Sequence, residues 1–258
     1  MAENGDEVEL QNIIAQGWKS FLPEIDITNF VRKTRWGRER IRAGVQNALY
    51  GHPEIFYVPR TFKIGWWQYA DGTLVKIALT GFQYDFKAAE YWARKRRFDE
   101  AVFEAMTCVH DVTDDVEKAM RLHDYLVRIC DYDVAAARVN DCSCLARTAY
   151  SALVRGKAVC EGYAMAYRHL LNVAGIASDV AVSSGDCHVW NYVQIRGRWY
   201  HVDVTYDNPV CASGVLPSAK ISHRHFLMSD KKARETGHHA WDVRGLPPAS
   251  DVRYDMIR

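Results

Sequence analysis

Residues 156–175 read GKAVCEGYAMAYRHLLNVAG, the most informative segment of the chain. Apolar and aromatic residues recur in it at steps of three and four, which predicts a helix with one buried face. That face carries Cys160, Tyr163, Ala164, Tyr167, Leu171 and Ala174. Gly175 is the residue type expected just past the end of such a helix. The sequence therefore predicts a helix that begins near Cys160 and directs the Cys160 thiol inward.

The position of Cys160 in the first helical turn has a chemical consequence. The helix macrodipole stabilises a thiolate at that end of a helix. Positions 157–159 contain no Ser, Thr, Asp or Asn that would cap the helix. Its first N–H groups are therefore expected to meet an anion, either the thiolate or a substrate oxyanion. Glu161 lies off the apolar face, and we expect it to be exposed.

The alternative interpretation is that Cys160 is an inert core thiol, the common fate of a free cysteine. The chain has seven cysteines, and an odd number argues against a fully paired disulfide framework. Their spacings match no familiar zinc pattern. We therefore expect reduced thiols, of which one is chemically special.

Two strands are predicted downstream, HVWNYVQI at 188–195 and RWYHVDVT at 198–205, joined by Arg196 and Gly197. Such a short connection predicts a hairpin in which Ile195 pairs with Arg198. In that register Asp203 opposes Trp190, His188 opposes Thr205, and His188 and Asp203 are diagonal neighbours on one face. His201 has the same parity as Asp203 and is a rival histidine. A slip of one residue would put His188 and Asp203 on opposite faces.

Cys160, His188 and Asp203 together suggest nucleophilic catalysis. Cys160 would be the nucleophile, and His188 would take its proton and later protonate the leaving group. Asp203 would fix the imidazole tautomer and stabilise its charged form. From the residues alone the alternative stays open that His188 and Asp203 are ordinary structural polar residues.

The region 113–242 resembles the transglutaminase-like superfamily, in its bacterial branch. Three ordered motifs carry the resemblance, namely GKAVCEGYA at 156–164, CHVWN at 187–191 and RWYHVDVTYDNP at 198–209. Flanking segments also resemble that family: LHDYL at 122–126, CDYD at 130–133, HFLMSD at 225–230 and HAWD at 239–242. The resemblance implies a papain-like α+β core, in which the helix that bears the cysteine packs against an antiparallel sheet that bears His188 and Asp203.

The implied chemistry is acyl transfer through a thioester on Cys160. The thiolate attacks a carboxamide or peptide bond of a protein or peptide, and either water or an amine acceptor completes the reaction. Protease or amidase activity is slightly favoured over cross-linking, because nothing in the sequence specifies an amine site. The alternative is a catalytically silent interaction module that keeps the fold.

Further residues are candidates for the site. Trp190, Tyr163 and Tyr206 are candidates for the walls of a substrate cleft, and a core position for Trp190 is an equal alternative. The Cys160 backbone N–H is a candidate oxyanion donor, and the second donor is not assigned. No acidic loop resembles a calcium site, and grouping His223, His225, His238 and His239 as metal ligands matches no familiar spacing. We therefore expect neither a metal nor a cofactor.

The domain organisation is predicted from a change of pattern near residue 110. Residues 1–110 are expected to form a small supporting α/β subdomain, 111–245 the catalytic core and 246–258 a tail. In the first part, strands flank an Asp71-Gly72 turn, which predicts a hairpin, and a helix is predicted to reach Tyr50. A long helix is predicted over 87–109. Thr113 and the acidic residues after it predict the start of the next helix, which reaches Cys130.

Composition excludes several classes of protein. The chain has 258 residues, 48% apolar and 25% charged, with 33 Lys plus Arg against 32 Asp plus Glu. This near balance argues against a nucleic-acid binder that uses the basic runs 32–42 and 94–97. Stretches without charged residues are too short for a membrane span. The start of the chain is acidic and unlike a secretory signal. We therefore expect a cytoplasmic location, or secretion if a leader precedes this sequence.

Overall fold

The computed structural model describes residues 5–58, 61–82, 84, 88–139, 145–183, 185, 187–208, 221–236, 239–241 and 246–256. The chain divides into two compact units, residues 2–93 and 94–258. The division lies inside a long helix, whereas the sequence pattern changes near residue 110. The domain bounds predicted from the sequence remain a prediction.

The unit of residues 2–93 combines three helices with one small sheet. The helices are α1 (Gly5–Lys19), α2 (Thr28–Thr34) and α3 (Arg38–Gly51). The strands are β1 (Glu24–Asp26), β2 (Lys63–Gln68) and β3 (Leu74–Thr80), antiparallel in the order β1-β3-β2. The predicted hairpin is confirmed, and Gly72 in its turn has a φ of 85°, a conformation that favours glycine.

The segment with the basic run 32–42, predicted to be helical up to Tyr50, divides into two helices. The helix α2 ends at Thr34, and Arg35 takes a left-handed conformation with a φ of 59°. Trp36 then turns into the core, where it is 4% exposed and meets Phe30 edge to face. The break at Arg35 thus coincides with the burial of the Trp36 ring against Phe30.

The unit of residues 94–258 holds most of the remaining elements. The helix α4 (Ala88–Thr107) crosses the division. It is followed by α5 (Asp115–Ile129), α6 (Val134–Val139), α7 (Cys160–Val173), α8 (Val204–Asp207) and α9 (Asp230–Glu235). The strands are β4 (Asp131–Tyr132), β5 (Lys157–Ala158), β6 (Ser178–Val182), β7 (Val189–Ile195) and β8 (Arg198–Val202).

The predicted α+β core is confirmed. The strands β6, β7 and β8 form an antiparallel sheet in that order, and β4 pairs with β5 in parallel. The helix α7 packs against β6 and β7 on one side and against α5 on the other. Because it has neighbours on both sides, nearly all of its side chains up to Leu171 are buried. A helix that bears a cysteine therefore lies on an antiparallel sheet, as expected.

Both predicted helix starts are confirmed. The helix α5 is capped by Asp114, whose side chain accepts a hydrogen bond from the Glu117 N–H. The helix α7 begins at Cys160, and Gly175 beyond its end has a φ of 80°. Its first turn is held very close to the chain before it, because a Cβ built on Gly162 would lie 2.5 Å from the Ala146 carbonyl oxygen.

The described residues from 246 to 256 contact β7 and the start of α9. The Tyr192 hydroxyl donates to the Pro247 carbonyl. The Ser229 N–H and hydroxyl both donate to Asp255, and Ala249 is fully buried. In the part of the chain that the structure describes, no helix has the length and apolar character needed to cross a membrane.

Candidate active site

Cys160 lies where the chain passes from β5 into α7. The residue before it, Val159, is extended, and no side chain among the described residues caps this helix. The first N–H groups of α7 therefore lack the usual side-chain acceptor. Cys160 is 8% exposed, and its Sγ lies 4.0 Å from the Cys187 carbonyl oxygen. The thiol thus sits at a positive helix end, next to the segment that carries His188.

The hairpin brings His188 and Asp203 together. The predicted register is confirmed, since Ile195 pairs with Arg198 and the ladder continues to Asn191 and Val202. The Nε2 atom of His188 lies 2.5 Å from Asp203 Oδ2. A carboxylate only accepts hydrogen bonds, so the imidazole nitrogen is the donor.

The ladder does not extend as far as predicted. Asp203 does not oppose Trp190, and His188 does not oppose Thr205. Instead the Asp203 N–H donates to the His225 carbonyl, and the chain turns into α8 directly after Asp203. The two side chains meet at the ends of their strands rather than across a regular ladder.

His188 carries a strongly shifted pKa. Burial by itself disfavours the charged imidazole, but the Asp203 carboxylate and the nearby Cys160 side chain favour it more strongly. Together they raise the pKa of His188 to about 10. An imidazolium next to a thiol is the arrangement that stabilises a thiolate.

Asp203 is fully buried and is held from several directions. Its Oδ1 accepts the Tyr206 N–H at 3.1 Å, so it also caps α8. Its Oδ2 faces His188 and, at 2.9 Å, the Nε2 of His239. Burial alone would raise the pKa of this carboxyl, but His188 and His239 outweigh burial and lower it. Asp203 therefore stays ionised beside His188.

The sequence patterns predict no role for His239 in this site. The residue is 3% exposed, and its Nδ1 lies 2.7 Å from the Thr236 hydroxyl. A signal existed, because His239 opens the HAWD segment that resembles the closing part of the family. His239 and Asp203 are 36 residues apart in the sequence, so no local pattern indicates that they are in contact.

His201, the alternative histidine of the predicted face, contacts Trp190 and Asp230 instead of Asp203. It is fully buried, its Nδ1 accepts the Trp190 indole N–H at 2.9 Å, and its Nε2 contacts Asp230 at 2.9 Å. Both of its nitrogens are therefore used away from Asp203. Among the described histidines, His188 and His239 are the ones that contact this carboxylate.

The three cleft candidates lie in different environments. Tyr206 is 38% exposed, with its ring centroid 4.8 Å from that of His188. Trp190 is 1% exposed and stacks on His188 at 5.6 Å, so it takes the core position. The structure contradicts a cleft position for Tyr163. It is 1% exposed, and its hydroxyl donates to the Cys130 carbonyl inside the core.

The prediction that Glu161 is exposed is wrong. Glu161 is 4% exposed, and its Oε2 lies 3.1 Å from Nη1 of Arg147. The partner comes from a separate turn, Leu145–Arg147, which no helical pattern around Glu161 can reveal. Glu161 directly follows Cys160, so the Arg147–Glu161 ion pair lies at the start of α7.

Tyr132 is a further residue of the site that the sequence did not single out. It pairs with Ala158, two residues before Cys160. Burial raises the pKa of Tyr132 to about 12, and the neighbouring Cys160 and Tyr206 side chains add to the shift. The phenol is therefore un-ionised at neutral pH and can donate a hydrogen bond.

The other cysteine and histidine predictions are tested in part. The described cysteines Cys108, Cys130, Cys160 and Cys187 are free thiols, and Cys142, Cys144 and Cys211 lie outside the described residues.

Of the four histidines considered as metal ligands, His238 lies outside the described residues, while His223 contacts Asp124 and His225 contacts Asp207. In the described part of the chain, the ligand atoms of His123, Asp124 and His223 lie within 4.8 Å of one another, as do those of His188, Asp203 and His239.

The segment that contains this site matches a known protein family. Residues 105–204 match the model of the transglutaminase-like superfamily. The matched span contains Cys160, His188 and Asp203 and the elements that position them. This segment belongs to the transglutaminase-like superfamily. The transglutaminase-like segment thus starts within α4 and ends where α8 begins.

A human protein is also similar to part of this chain. Over 126 residues the chain is 26% identical to human kyphoscoliosis peptidase, covering 43% of this chain and 18% of that relative. The chain thus matches less than a fifth of the length of this relative.

Two solved structures are similar as well. One is a TGase, with 16% identity, a TM-score of 0.41 and coverage of 65% of this chain and 49% of the other. The other is a candidate cysteine protease from Cytophaga hutchinsonii, with 13% identity, a TM-score of 0.34 and coverage of 56% and 62%. At such TM-scores neither likeness decides the fold, which rests on the helix and sheet described above.

Proposed function

We propose that this protein is a cysteine-dependent acyl-transfer enzyme with Cys160, His188 and Asp203 as its triad. The observation that carries the proposal is the 2.5 Å contact between His188 Nε2 and Asp203 Oδ2, with the Cys160 thiol next to the same imidazole. Because Nε2 donates to Asp203, Nδ1 is the nitrogen left to exchange a proton with the thiol. This division of the two ring nitrogens is what a nucleophile, base and orienting carboxylate require.

The reaction proceeds in two half-reactions. In the first, the Cys160 thiolate attacks the carbonyl carbon of an amide, and the carbonyl oxygen becomes an oxyanion. The Cys160 N–H at the start of α7 is one donor for that oxyanion. The C–N bond then breaks, His188 gives its proton to the leaving nitrogen, and a thioester remains on Cys160.

The second half-reaction decides the class of enzyme. Attack by water, with His188 as the base, releases an acid and regenerates the thiol, which is hydrolysis of a peptide or amide bond. Attack by an amine forms a new amide and is transglutamination. Hydrolysis of protein or peptide substrates is favoured, and the name of the human relative, a peptidase, supports it. The alternative is a silent module that keeps the fold without chemistry.

The first test is the reactivity of the thiol, which needs no substrate. Alkylation by iodoacetamide at pH 6.5 is followed by peptide mass spectrometry, with the exposed Cys187 as an internal control. An ordinary thiol is about 1% ionised at that pH, so an imidazolium-paired thiolate should react at least about tenfold faster. We expect Cys160 to outpace Cys187 although it is buried, and to lose that advantage in His188→Ala. Equal rates in the wild type would contradict the triad and favour the silent module.

The second test separates hydrolysis from transfer. The protein is incubated with peptides that contain Gln and Asn, with and without a fluorescent primary amine. New amino termini or released ammonia without the amine would indicate hydrolysis, and incorporation of the amine would indicate transfer. Cys160→Ser is the matched control, and product formed equally by that variant would exclude Cys160 as the nucleophile.

A further inference from the structure

Asp203 has two histidine partners, and the proposed triad uses only one of them. His188 Nε2 and His239 Nε2 both meet the same oxygen, Oδ2, at 2.5 Å and 2.9 Å. The carboxylate and both rings are buried. A carboxylate removed from water keeps its charge only where hydrogen bonds and positive groups replace the lost solvent. His239 supplies one of those hydrogen bonds.

Thr236 and Trp190 hold the His239 ring in its orientation. Its Nδ1 lies 2.7 Å from the Thr236 hydroxyl, at the end of α9, and that hydroxyl also contacts the Ala233 carbonyl at 2.6 Å. The His239 ring meets Trp190 edge to face, with centroids 4.8 Å apart. With one nitrogen held by Thr236 and the ring packed against Trp190, the other nitrogen is directed at Asp203. The ring is thus oriented before any substrate is present.

The hydrogen bonds to Asp203 restrict its rotation. The Tyr206 N–H holds Oδ1, while His239 shares Oδ2 with His188. A carboxylate held at both oxygens keeps Oδ2 aligned with His188 Nε2. Without His239 the carboxylate loses one of these constraints, and the imidazole it orients loses alignment in turn.

We propose that His239 is a positioning residue of the active site, which holds the Asp203 carboxylate in the orientation that aligns His188 with Cys160. This inference rests on the proposed function, because it concerns how the same triad is kept in place. His239 acts through Asp203 rather than on the substrate. The site is thus a chain of four side chains, Cys160, His188, Asp203 and His239, supported by Thr236.

The test compares two replacements of His239. His239→Gln keeps an N–H donor near the position of Nε2, whereas His239→Leu fills similar space without a donor. The readout is the rate of iodoacetamide alkylation of Cys160 relative to Cys187 at pH 6.5. We expect His239→Leu to lower this ratio by roughly tenfold, by analogy with the loss of a partner that orients a metal-ligating histidine, and His239→Gln to keep most of it. A purely structural role would lower melting temperature in both variants without rescue by Gln.

A second variant covers the case in which His239→Leu does not fold. Thr236→Val removes the hydroxyl behind His239 and leaves His239 and Asp203 intact. We expect an intermediate loss of Cys160 reactivity at a near-normal melting temperature. Cys160 reactivity that is unchanged in a folded His239→Leu would overturn the role of His239; where His239→Leu does not fold, unchanged reactivity in Thr236→Val would do so.

The failure of this inference is distinguishable from the failure of the proposed function. If Cys160 outpaces Cys187 in the wild type and slows in His188→Ala, but not in His239→Leu, only the role of His239 is wrong. If Cys160 shows no advantage in the wild type, both are wrong. Rescue by His239→Gln together with loss in His239→Leu would support both.

Discussion

At the scale of single residues, His188 is the group whose charge the fold changes most clearly. Its pKa is raised to about 10, because the Asp203 carboxylate and the Cys160 side chain outweigh the burial that would lower it. We predict that the His188 ring stays protonated at pH 8, as measured by ¹⁵N NMR with His188→Ala for assignment. In Asp203→Asn the proton should be lost closer to the ordinary value of about 6.5. Titration of the wild-type ring near 6.5 would contradict the ion pair.

The same pair makes folding stability depend on pH, and the sign follows from the directions of the two shifts. The raised pKa of His188 means that its contribution is fully present below about 6.5 and is lost as pH rises through about 10. The lowered pKa of Asp203 means that its contribution is present above its ordinary 3.8 and is lost on strong acidification.

We therefore predict how Asp203→Asn changes the pH profile of unfolding by urea. Between pH 6.5 and 10.5 the wild type should lose more free energy of unfolding than the variant, because only the wild type carries the His188–Asp203 ion pair. The comparison with Asp203→Asn cancels the titration of the other groups. Parallel profiles over this range would contradict the prediction.

At the scale of elements, the start of α7 determines where the Cys160 thiol lies. Gly162 in its first turn faces the Ala146 carbonyl, and an added Cβ would lie 2.5 Å from that oxygen and 2.8 Å from Ala158 Cβ. We predict that Gly162→Ala destabilises the protein by about 1–3 kcal/mol, as overpacking does, and slows alkylation of Cys160. The matched control is Gly185→Ala, where an added Cβ has open space. Equal melting temperatures for the two variants would show that the contact is easily relieved.

Elements fixed by local rules were predictable from the sequence, whereas contacts between distant elements were not. The two-residue turn at Arg196 and Gly197 sets the hairpin register, so the meeting of His188 with Asp203 followed from it. Arg147 and His239 reach the site from segments 14 and 36 residues away from their partners. Neither a helical period nor strand alternation encodes such distances. For that reason the burial of Glu161 and the second partner of Asp203 were missed.

At the scale of the whole molecule, the proposed site lies entirely within the unit of residues 94–258. Cys160 belongs to α7, His188 and Asp203 to the ends of β7 and β8, and His239 to the segment after α9. The elements that hold these residues belong to the same unit. The chemistry therefore depends on the fold of this unit, and the unit of residues 2–93 supplies none of the proposed catalytic groups.

This arrangement predicts that a fragment of residues 94–258 keeps a reactive Cys160, whereas a fragment of residues 111–258 does not fold stably. The two differ by the second part of α4, where Phe98 is fully buried and stacks on Tyr150 with centroids 6.5 Å apart. Loss of one buried Phe side chain costs about 3–5 kcal/mol, a large fraction of the stability of a typical domain. Urea unfolding and Cys160 alkylation of both fragments measure the difference. A stable, reactive 111–258 fragment would instead favour the boundary near residue 110 that the sequence pattern predicts.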